Sequence, residues 1–381
     1  MQIAQFNFPT TIRFGPGVIK ELPAILKEKG IKRPFLVSDR TVARLDFHQE
    51  VLKDLAKAGL APQDFHEFEG NPIESHVVDG TRAYKETNAD GMVIMGGGAA
   101  LDVGKAIALL ASNPGSLFDY EDIPGAREAA NPFPFMVAIP TTAGTGSEVG
   151  RSSVISENES KAKKIIFSPK MLPPLVLGDP ELTVGLPPSV TAATGMDAFT
   201  HCLEAYLAKG FHPLCDGIAI EGISLIAQYL KTAYENPSDL KARGKMLAAS
   251  MMGAISFQKG LGVNHSCAHA LSTVFDLHHG LANALMLPAA MAFNKSHAEA
   301  KFARLAHTVG ILLEDQAEAA QAFLRWMDQL KKDVGITQTL KDHGVKVSDQ
   351  LLDVAFNDIC HPFGPKPVTR DDFKHIYQEA L

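Results

Sequence analysis

The sequence has only four cysteines in 381 residues, and none of them forms a C-x-x-C pair. This scarcity predicts no disulfide framework and favours a reducing compartment, so we expect a cytoplasmic protein. The sequence also lacks any long run of lysine or arginine and has a net charge of −7. These features argue against nucleic acid as a partner.

Targeting and membrane signals are missing too. The N-terminus, MQIAQFNFPTTIRFGPG, has no basic stretch followed by an apolar one, as a secretory signal would have. The longest apolar run, near residue 100, is interrupted by Asp102 and Lys105, so we expect no membrane partner. The sequence does have ample apolar material, 46% of its residues, which is enough for the two cores expected at this length.

Short apolar runs alternate with amphipathic ones in the first half of the chain. The predicted strands cover residues 6–14, 34–37, 63–69, 91–95 and 133–139. Helical periodicity fills residues 18–29, 49–58, 76–88 and 101–111. Strands alternating with helices predict βαβ units and a doubly wound, mainly parallel α/β sheet.

The pattern changes at the proline-flanked stretch 182–188. Downstream, helical periodicity dominates, over residues 189–208, 216–234, 240–257 and 265–274 and on to the C-terminus. The sequence therefore predicts two domains, an α/β domain over residues 1–183 and an all-α domain over residues 184–381.

Six of the fourteen histidines lie between residues 201 and 279. Asp197 and His201 stand four apart in a predicted helix, so both project from one face, and His265 and His269 repeat that spacing. Taken singly, each histidine is more readily explained as a packing or capping residue. Two such pairs followed by His278-His279-Gly280 favour a divalent metal site.

Gly96-Gly97-Gly98 stands between an apolar strand and a helix, where backbone N–H groups can bind phosphate. The stretch GGGAALDVGK matches neither the P-loop nor G-x-G-x-x-G, so a tight turn explains it equally well. Asp39 follows another strand and could bind a ribose diol and repel a 2′-phosphate, favouring NAD over NADP. On position alone, a helix N-cap is the simpler interpretation of Asp39.

Four motifs in register resemble the iron-dependent (group III) alcohol dehydrogenase family over almost the whole chain: GGGAALDVGKAI, PTTAGTGSEV, ATGMDAFTHCLEAY, and NHSCAHALS with HHGLANALMLP. The resemblance implies a Rossmann-like NAD(P) domain and a helical metal-binding domain, the dehydroquinate synthase-like architecture. It also implies hydride transfer between a small alcohol or aldehyde and NAD, with the alcohol bound to the metal as its alkoxide. Family members are commonly homodimers or larger, and the N-terminal strand is a candidate for pairing between subunits.

The resemblance also assigns residues. The implied metal ligands are Asp197, His201, His265 and His279, while His269 would be a non-ligand beside the nicotinamide and a candidate proton relay. The implied cofactor-binding residues are Asp39, Asn71, Gly97, Gly98, Asp102, Thr141, Thr142, Thr145 and Lys163, with Lys164 possible in place of Lys163. His212 and His278 are left as bystanders. A nitrogen and oxygen ligand set suits Fe²⁺ and also Zn²⁺, Mn²⁺ or Ni²⁺.

Three departures from the family pattern leave the substrate open. Ala99 replaces a usual serine, the usual H-G-x-x-H has Ser266 in second place, and the usual Asn-Pro-Arg is replaced within residues 360–367. Arg151 could recognise a carboxylate, although a solvated surface arginine is the simpler interpretation. A metal- and NAD-dependent lyase of the dehydroquinate synthase type, a metallohydrolase and a non-catalytic metal-binding protein are the alternatives.

Overall fold

The computed structural model describes residues 5–7 and 10–381, and this part of the chain divides into two compact units. The sheet unit holds residues 10–142 and 146–183. The helical unit holds residues 5–7, 143–145 and 184–381. No helix in the described residues is long and apolar enough to cross a membrane.

Six parallel strands form the sheet, in the order β1-β8-β5-β4-β2-β3. They are β1 Thr11–Phe14, β2 Pro34–Val37, β3 Gln63–Phe65, β4 Gly91–Gly96, β5 Met136–Pro140 and β8 Leu175–Gly178. The strands β2, β4, β5 and β8 are buried at every residue, because helices cover both faces of a doubly wound sheet. The predicted α/β class is thus confirmed.

Five helices connect these strands: α1 Leu22–Glu28, α2 Arg40–Ala43, α3 Asp46–Lys57, α4 Glu74–Glu86 and α5 Gly98–Ser112. Leu26 and Leu55 from these helices pack with Leu36 and Val93 of the sheet in a fully buried core. Val37 lies opposite Ile94 in the register, so the carboxyl ends of β2 and β4 finish side by side.

The sheet unit differs from the sequence prediction at several points. β1 is shorter than the predicted strand 6–14, because residues 6 and 7 are not in a strand and residues 8 and 9 lie outside the described part. β3 ends at Phe65, where the prediction continued to residue 69. β8 and the antiparallel hairpin of β6 Ser152–Ser156 and β7 Lys163–Phe167 were not predicted. The hairpin begins with serines and lysines, so its apolar alternation is weak.

Eight helices make up most of the helical unit. They are α6 Pro188–Leu207, α7 Pro213–Glu235, α8 Leu240–Ser256, α9 Val263–Phe275, α10 His279–Thr308, α11 Gln316–Asp333, α12 Asp349–Phe356 and α13 Arg370–Ala380. α6 packs against α7, α8 and α10 and is buried along most of its length. A Cβ at Gly195 of α6 would overlap Cδ1 of Leu230 on α7, so any larger residue there would require the Leu230 side chain to shift.

Candidate active site

Three helices of the helical unit bring together four potential metal ligands. α6 supplies Asp197 and His201, α9 supplies His265, and α10 begins with His279. One ligand atom from each of the four residues lies within 4.8 Å of the others. The first three side chains are buried, and His279 is one-quarter exposed. Side chains that are far apart in sequence therefore converge on one point with limited access to water.

The convergence depends on a close approach between α10 and α6. A Cβ at Gly280 would overlap the carbonyl oxygen of Ala193 and would lie 3.3 Å from Cβ of Asp197. Only glycine allows the start of α10 to come this near to α6. His279, the residue before this glycine, consequently has its Nε2 atom 3.5 Å from Oδ1 of Asp197.

The surroundings of the His201 side chain indicate whether these residues fit a metal ion. Its Nδ1 atom is buried, has no hydrogen-bond partner among the described residues, and lies 4.0 Å from Oδ2 of Asp197. A buried nitrogen without a partner is costly, and a cation beside the carboxylate would compensate for it. Burial, followed by the nearby His201 and His269, lowers the pKa of His265 well below its ordinary value. Neutral imidazoles are the form that binds metal, so the donor set fits a divalent cation.

Glu204 supports this cluster and was missed in the sequence. It is buried, and its Oε2 accepts a hydrogen bond from Nδ1 of His265 at 2.6 Å. The backbone N–H groups of Asn264 and His265 also donate to the carboxylate, at 2.8 and 3.1 Å. Burial raises the pKa of Glu204 to about 7, although these N–H groups act in the opposite direction. The sequence feature that could have revealed Glu204 is its position three residues after His201 on the same helix.

Asn283 lies one turn after His279 on α10 and was also missed. Its Nδ2 donates to Oδ1 of Asp197 at 2.7 Å, while its Oδ1 accepts from Nδ2 of Asn264 at 2.9 Å. The Nε2 atoms of His265 and His279 lie 3.3 and 3.2 Å from the same Nδ2. Both imidazoles therefore turn Nε2 toward one point beside Asp197.

The remaining histidines of this region have different surroundings. The His269 ring stacks on His279 with 5.3 Å between centroids, and its Nδ1 lies 2.8 Å from Oδ2 of Asp358. Burial alone would raise the pKa of Asp358, but His269 and two further hydrogen-bond donors hold it well below its usual range. His278 is exposed. His212 caps α7, where its Nδ1 accepts the N–H of Cys215.

In the sheet unit, candidate cofactor residues follow three neighbouring strands. Asp39 comes after β2, Gly97 and Gly98 come after β4, and Thr141 and Thr142 come after β5. The order β5-β4-β2 makes these strand ends adjacent, and the Thr141 N–H bonds the Gly96 carbonyl at 3.0 Å. Ligands of open α/β sheets bind at the carboxyl ends of the strands, so this edge is suited to a nucleotide.

The two carboxylate oxygens of Asp39 have different surroundings. Its Oδ1 accepts the backbone N–H groups of Thr41 and Val42 at 2.8 and 2.9 Å, as the N-cap of α2. Its Oδ2 lies 3.7 Å from the place that a Cβ of Gly96 would occupy. The capping interpretation is therefore correct, and it leaves the second oxygen directed toward the glycine loop.

Asp102 is engaged within the sheet unit. Its Oδ1 accepts from the Ser147 hydroxyl at 2.5 Å, and its Oδ2 accepts from the Val154 N–H at 2.8 Å. The buried Lys105 lies 3.3 Å from the same carboxylate. These bonds tie α5 to the loop after β5 and to the hairpin. Both oxygens of Asp102 therefore have partners within the sheet unit.

Asn71 lies between β3 and α4, the two lysines lie in β7, and Thr145 lies in the loop after β5. Lys163 pairs with Ser156 in the hairpin, and Ser156 also bridges to the segment that follows Asn71. Lys164 binds Glu157 and Glu121 and covers the Phe118 ring. Thr145 belongs to the helical unit, where the adjacent Gly144 contacts Thr194.

Comparisons with known proteins agree with this geometry. A family model described as iron-containing alcohol dehydrogenase matches residues 9–180, and one for the C-terminal part of the Fe-containing alcohol dehydrogenase family matches residues 191–381. The NAD-dependent methanol dehydrogenase of Bacillus methanolicus is 35% identical over 384 residues, covering 100% of both chains. The chain belongs to the iron-containing alcohol dehydrogenase family.

Solved structures place this alcohol dehydrogenase among the same proteins. A 1,3-propanediol oxidoreductase superposes with a TM-score of 0.95 at 34% identity, covering 100% of both chains. The sulfoacetaldehyde reductase of Bifidobacterium kashiwanohense, solved with NAD⁺, superposes with a TM-score of 0.88 at 28% identity, covering 100% of this chain and 99% of that one. The protein is therefore an NAD-dependent, metal-using alcohol dehydrogenase with the dehydroquinate synthase-like fold. The lyase and metallohydrolase alternatives are not supported.

Arg151, the candidate for carboxylate recognition in this dehydrogenase, and Lys366 both have aromatic partners. The Arg151 guanidinium lies 5.6 Å from the centroid of the Phe167 ring, within the hairpin region of the sheet unit. Lys366, in the segment that replaces Asn-Pro-Arg, lies 3.6 Å from the centroid of the Phe293 ring on α10. Both cations thus cover an aromatic ring.

Proposed function

We propose that this dehydrogenase uses Fe²⁺ held by Asp197, His201, His265 and His279, prefers NAD to NADP, and interconverts small primary alcohols and their aldehydes. The observation that carries the proposal is the convergence of these four ligand atoms within 4.8 Å on three buried helix segments. When bound, the metal supplies Lewis-acid polarisation of the substrate oxygen, and the nicotinamide takes up the hydride.

The donor set supports iron without requiring it. One carboxylate and three imidazoles are nitrogen and oxygen ligands of the kind that Fe²⁺ shares with Zn²⁺, Mn²⁺ and Ni²⁺. The buried cysteine of α6, Cys202, has a thiol pKa raised to about 12 by burial, so it does not offer a thiolate. The family's iron-containing members favour Fe²⁺ among the metals that remain.

The chain's contribution to cofactor binding comes from the strand ends of the sheet unit. Gly97 and Gly98 open α5, where the N–H groups of a fifteen-residue helix face the phosphates. A Cβ at Gly97 would stand 3.3 Å from the Thr142 hydroxyl, so glycine keeps this approach open. Asp39 accepts the ribose hydroxyls with Oδ2, and its charge repels a 2′-phosphate. The proposed contacts are completed by Asn71, Asp102, Thr141, Thr142, Thr145 and Lys163.

His269 is proposed to transfer the hydroxyl proton between substrate and solvent. Its side chain is 18% exposed, in contrast to the buried His265 on the same helix. Its Nδ1 bonds Asp358, so Nε2 is the atom that receives the proton.

A small, uncharged alcohol is the proposed substrate. Relatives of full length are named for methanol and for 1,3-propanediol, primary alcohols without a carboxylate, although another is named for 4-hydroxybutyrate, which carries one. Arg151 covers the Phe167 ring, which supports an uncharged substrate over a hydroxy acid.

We also propose a homodimer formed through the open side of β1. β1 lies at one end of the strand order, next to β8, so its other side can pair with a second copy. The Gly15 N–H bonds Gly178 of β8, and because N–H groups alternate along a strand, those of Ile12 and Phe14 point outward. Light scattering should give a dimer, and Ile12→Pro should shift the mass toward the monomer while Arg13→Lys does not.

A cytoplasmic location completes the proposal. All four cysteines are buried and unpaired, which supports a reducing compartment. Cell fractionation of tagged protein tests this, and recovery from the oxidising, exported fraction would contradict it.

The central experiment combines metal analysis with activity. Protein purified without oxygen should contain iron, and it should form NADH from methanol, ethanol or 1,3-propanediol with NAD more rapidly than NADPH with NADP. Chelation should abolish the rate, and Fe²⁺ should restore it. If metal-replete protein forms no NADH with any of these alcohols, the substrate proposal is wrong. Reactivation by Zn²⁺ but not by Fe²⁺ would contradict the choice of metal.

A further inference from the structure

Asp358 links the C-terminal region to the metal-binding helix α9. It lies in the turn after α12, and its side chain is 14% exposed. Oδ2 accepts from Nδ1 of His269 at 2.8 Å, while Oδ1 accepts from the Ser266 hydroxyl at 2.7 Å. The Cys360 N–H also donates to Oδ1, at 2.9 Å. Both oxygens are therefore occupied, and the carboxylate has one orientation.

Ser266 holds the other side of this carboxylate. Its hydroxyl donates to Asp358 and accepts the His361 N–H at 2.9 Å, so it joins α9 to two points of the segment 358–361. Ser266 is fully buried. Without this hydroxyl neither bond could form, so Ser266 contributes a bridge from α9 to Asp358.

These contacts determine the tautomer and the orientation of His269. With Nδ1–H donated to Asp358, the neutral ring carries no hydrogen on Nε2, and Nε2 is the nitrogen available to a ligand. The ring plane is also fixed, because it stacks on His279 and meets the edge of His265 at 5.8 Å between centroids. Orientation and tautomer are both set by partners on the helical unit.

We propose that Asp358 and Ser266 are positioning residues for His269, which they hold in a single tautomer and orientation beside the metal ligands. The inference deepens the proposed function and rests on it for the role of His269. Partners that orient the ligands of a metal typically change affinity or activity by about tenfold to a hundredfold when they are replaced, and we expect the same range for this imidazole beside the ligands.

One competing interpretation uses the same atoms. His269, Asp358 and Cys360 each offer a ligand atom within 4.8 Å of the others and could surround a second cation. Burial, with Asp358 adding to the effect, raises the pKa of the Cys360 thiol well above its ordinary value, so a thiolate there is costly. The direct hydrogen bond between His269 and Asp358 also occupies the atoms that a cation would need. The geometry is that of a hydrogen-bonded pair.

The test uses Asp358→Asn and Ser266→Ala, with Ser256→Ala as the control. Ser256 is a buried serine whose hydroxyl bonds the Gly253 carbonyl at 2.8 Å, so its replacement costs a similar hydrogen bond away from His269. Nitrogen-15 NMR of histidine-labelled, Zn²⁺-loaded protein, with His269 assigned by His269→Gln, reports the ring tautomer. Metal analysis and the separate changes in kcat and KM are measured on the same preparations.

We expect His269 of the parent protein to carry its hydrogen on Nδ1, and Asp358→Asn to move it to Nε2 because the amide NH₂ then faces the ring. The first metal equivalent should be retained, and kcat should fall by about tenfold to a hundredfold with little change in the KM for alcohol. Ser266→Ala should act in the same direction and less strongly, and Ser256→Ala should leave the His269 signal unchanged.

Several outcomes would overturn this role. They are an Nε2-protonated ring in the parent protein, an unchanged tautomer in Asp358→Asn, and a second metal equivalent that Asp358→Asn loses. If Asp358→Asn does not fold, Ser266→Ala decides the question by whether two His269 tautomers appear. The tautomer and metal content are read without an alcohol substrate, so a failure of the proposed function would be seen separately, as inactivity of the parent protein.

Discussion

Nδ1 of His265 lies 2.6 Å from Oε2 of Glu204, and both side chains are buried. The same carboxylate accepts the backbone N–H groups at the start of α9. Glu204 therefore fixes both the beginning of the helix and the imidazole that projects from it. With Nδ1 engaged, His265 turns Nε2 toward Asp197 and His279, which is the orientation that a metal ligand needs.

Replacing Glu204 with glutamine should weaken metal binding by about tenfold to a hundredfold, because the amide NH₂ group would face one of the donors that the carboxylate now accepts. The apparent affinity can be measured by competition with a chelator. Glu221→Gln, on the exposed side of α7, is the matched control and should bind metal like the parent protein. Equal affinities for all three proteins would show that His265 does not need this partner.

The neighbouring histidines His278 and His279 give a second, paired prediction. His279→Ala should lose most of its metal, because it removes one of the four proposed ligands, whereas His278→Ala should retain it because that side chain is exposed. Metal content after dialysis, with circular dichroism to confirm folding, distinguishes them. If His278→Ala also loses the metal, the assignment of the ligand within this pair is wrong.

The sequence predicts the elements whose limits are set locally. β2 is found at Pro34–Val37, as predicted, because it is a short apolar run with Ser38-Asp39 after it. The i, i+4 spacing of Asp197 and His201 placed both side chains on one face of a helix, and α6 has them there. Glu204 follows His201 by three residues, so the same helical periodicity could have placed it near that face.

Other parts of the site depend on contacts that no local pattern contains. Asp358 reaches His269 only because the turn after α12 folds back on α9, and nothing around Asp358 in the sequence points to that contact. The bonds of the Asp102 carboxylate to Ser147 and Val154 likewise join residues that are far apart in the sequence. Long-range hydrogen bonds of this kind are decided by the tertiary fold.

The two oxygens of Asp39 allow its functions to be separated. Asp39→Asn keeps an oxygen for the N-cap of α2 but removes the charge, while Asp39→Ala removes both. Both variants should raise kcat/KM for NADP relative to NAD by about tenfold or more, since the repulsion of the 2′-phosphate is lost. Asp39→Ala alone should also lower the free energy of unfolding, by roughly 0.5–2 kcal/mol. An unchanged NADP to NAD ratio in both variants would remove Asp39 from cofactor selection.

Glu148, in the loop after β5, gives a prediction for stability against pH. Its side chain is buried, Oε1 has no hydrogen-bond partner among the described residues, and burial raises its pKa from 4.5 to about 7 despite the nearby Lys105. The folded state then holds the proton more tightly than the unfolded state. The free energy of unfolding should therefore fall as the pH rises from 4.5 to about 7 and level off above that range.

Glu148→Gln isolates this contribution, because glutamine has the same shape and does not ionise. At each pH, the free energy of unfolding of the parent protein is subtracted from that of the variant. This difference should be on the order of 3 kcal/mol more positive at about pH 8 than at about pH 4. Urea unfolding at both pH values measures it, and the exposed Glu128→Gln serves as the control. A difference that does not change with pH would mean that Glu148 is ionised equally in the folded and unfolded states. In that case the buried Lys105 would have to compensate fully for the loss of solvation, and Lys105→Met should then destabilise the protein more at about pH 8 than at about pH 4.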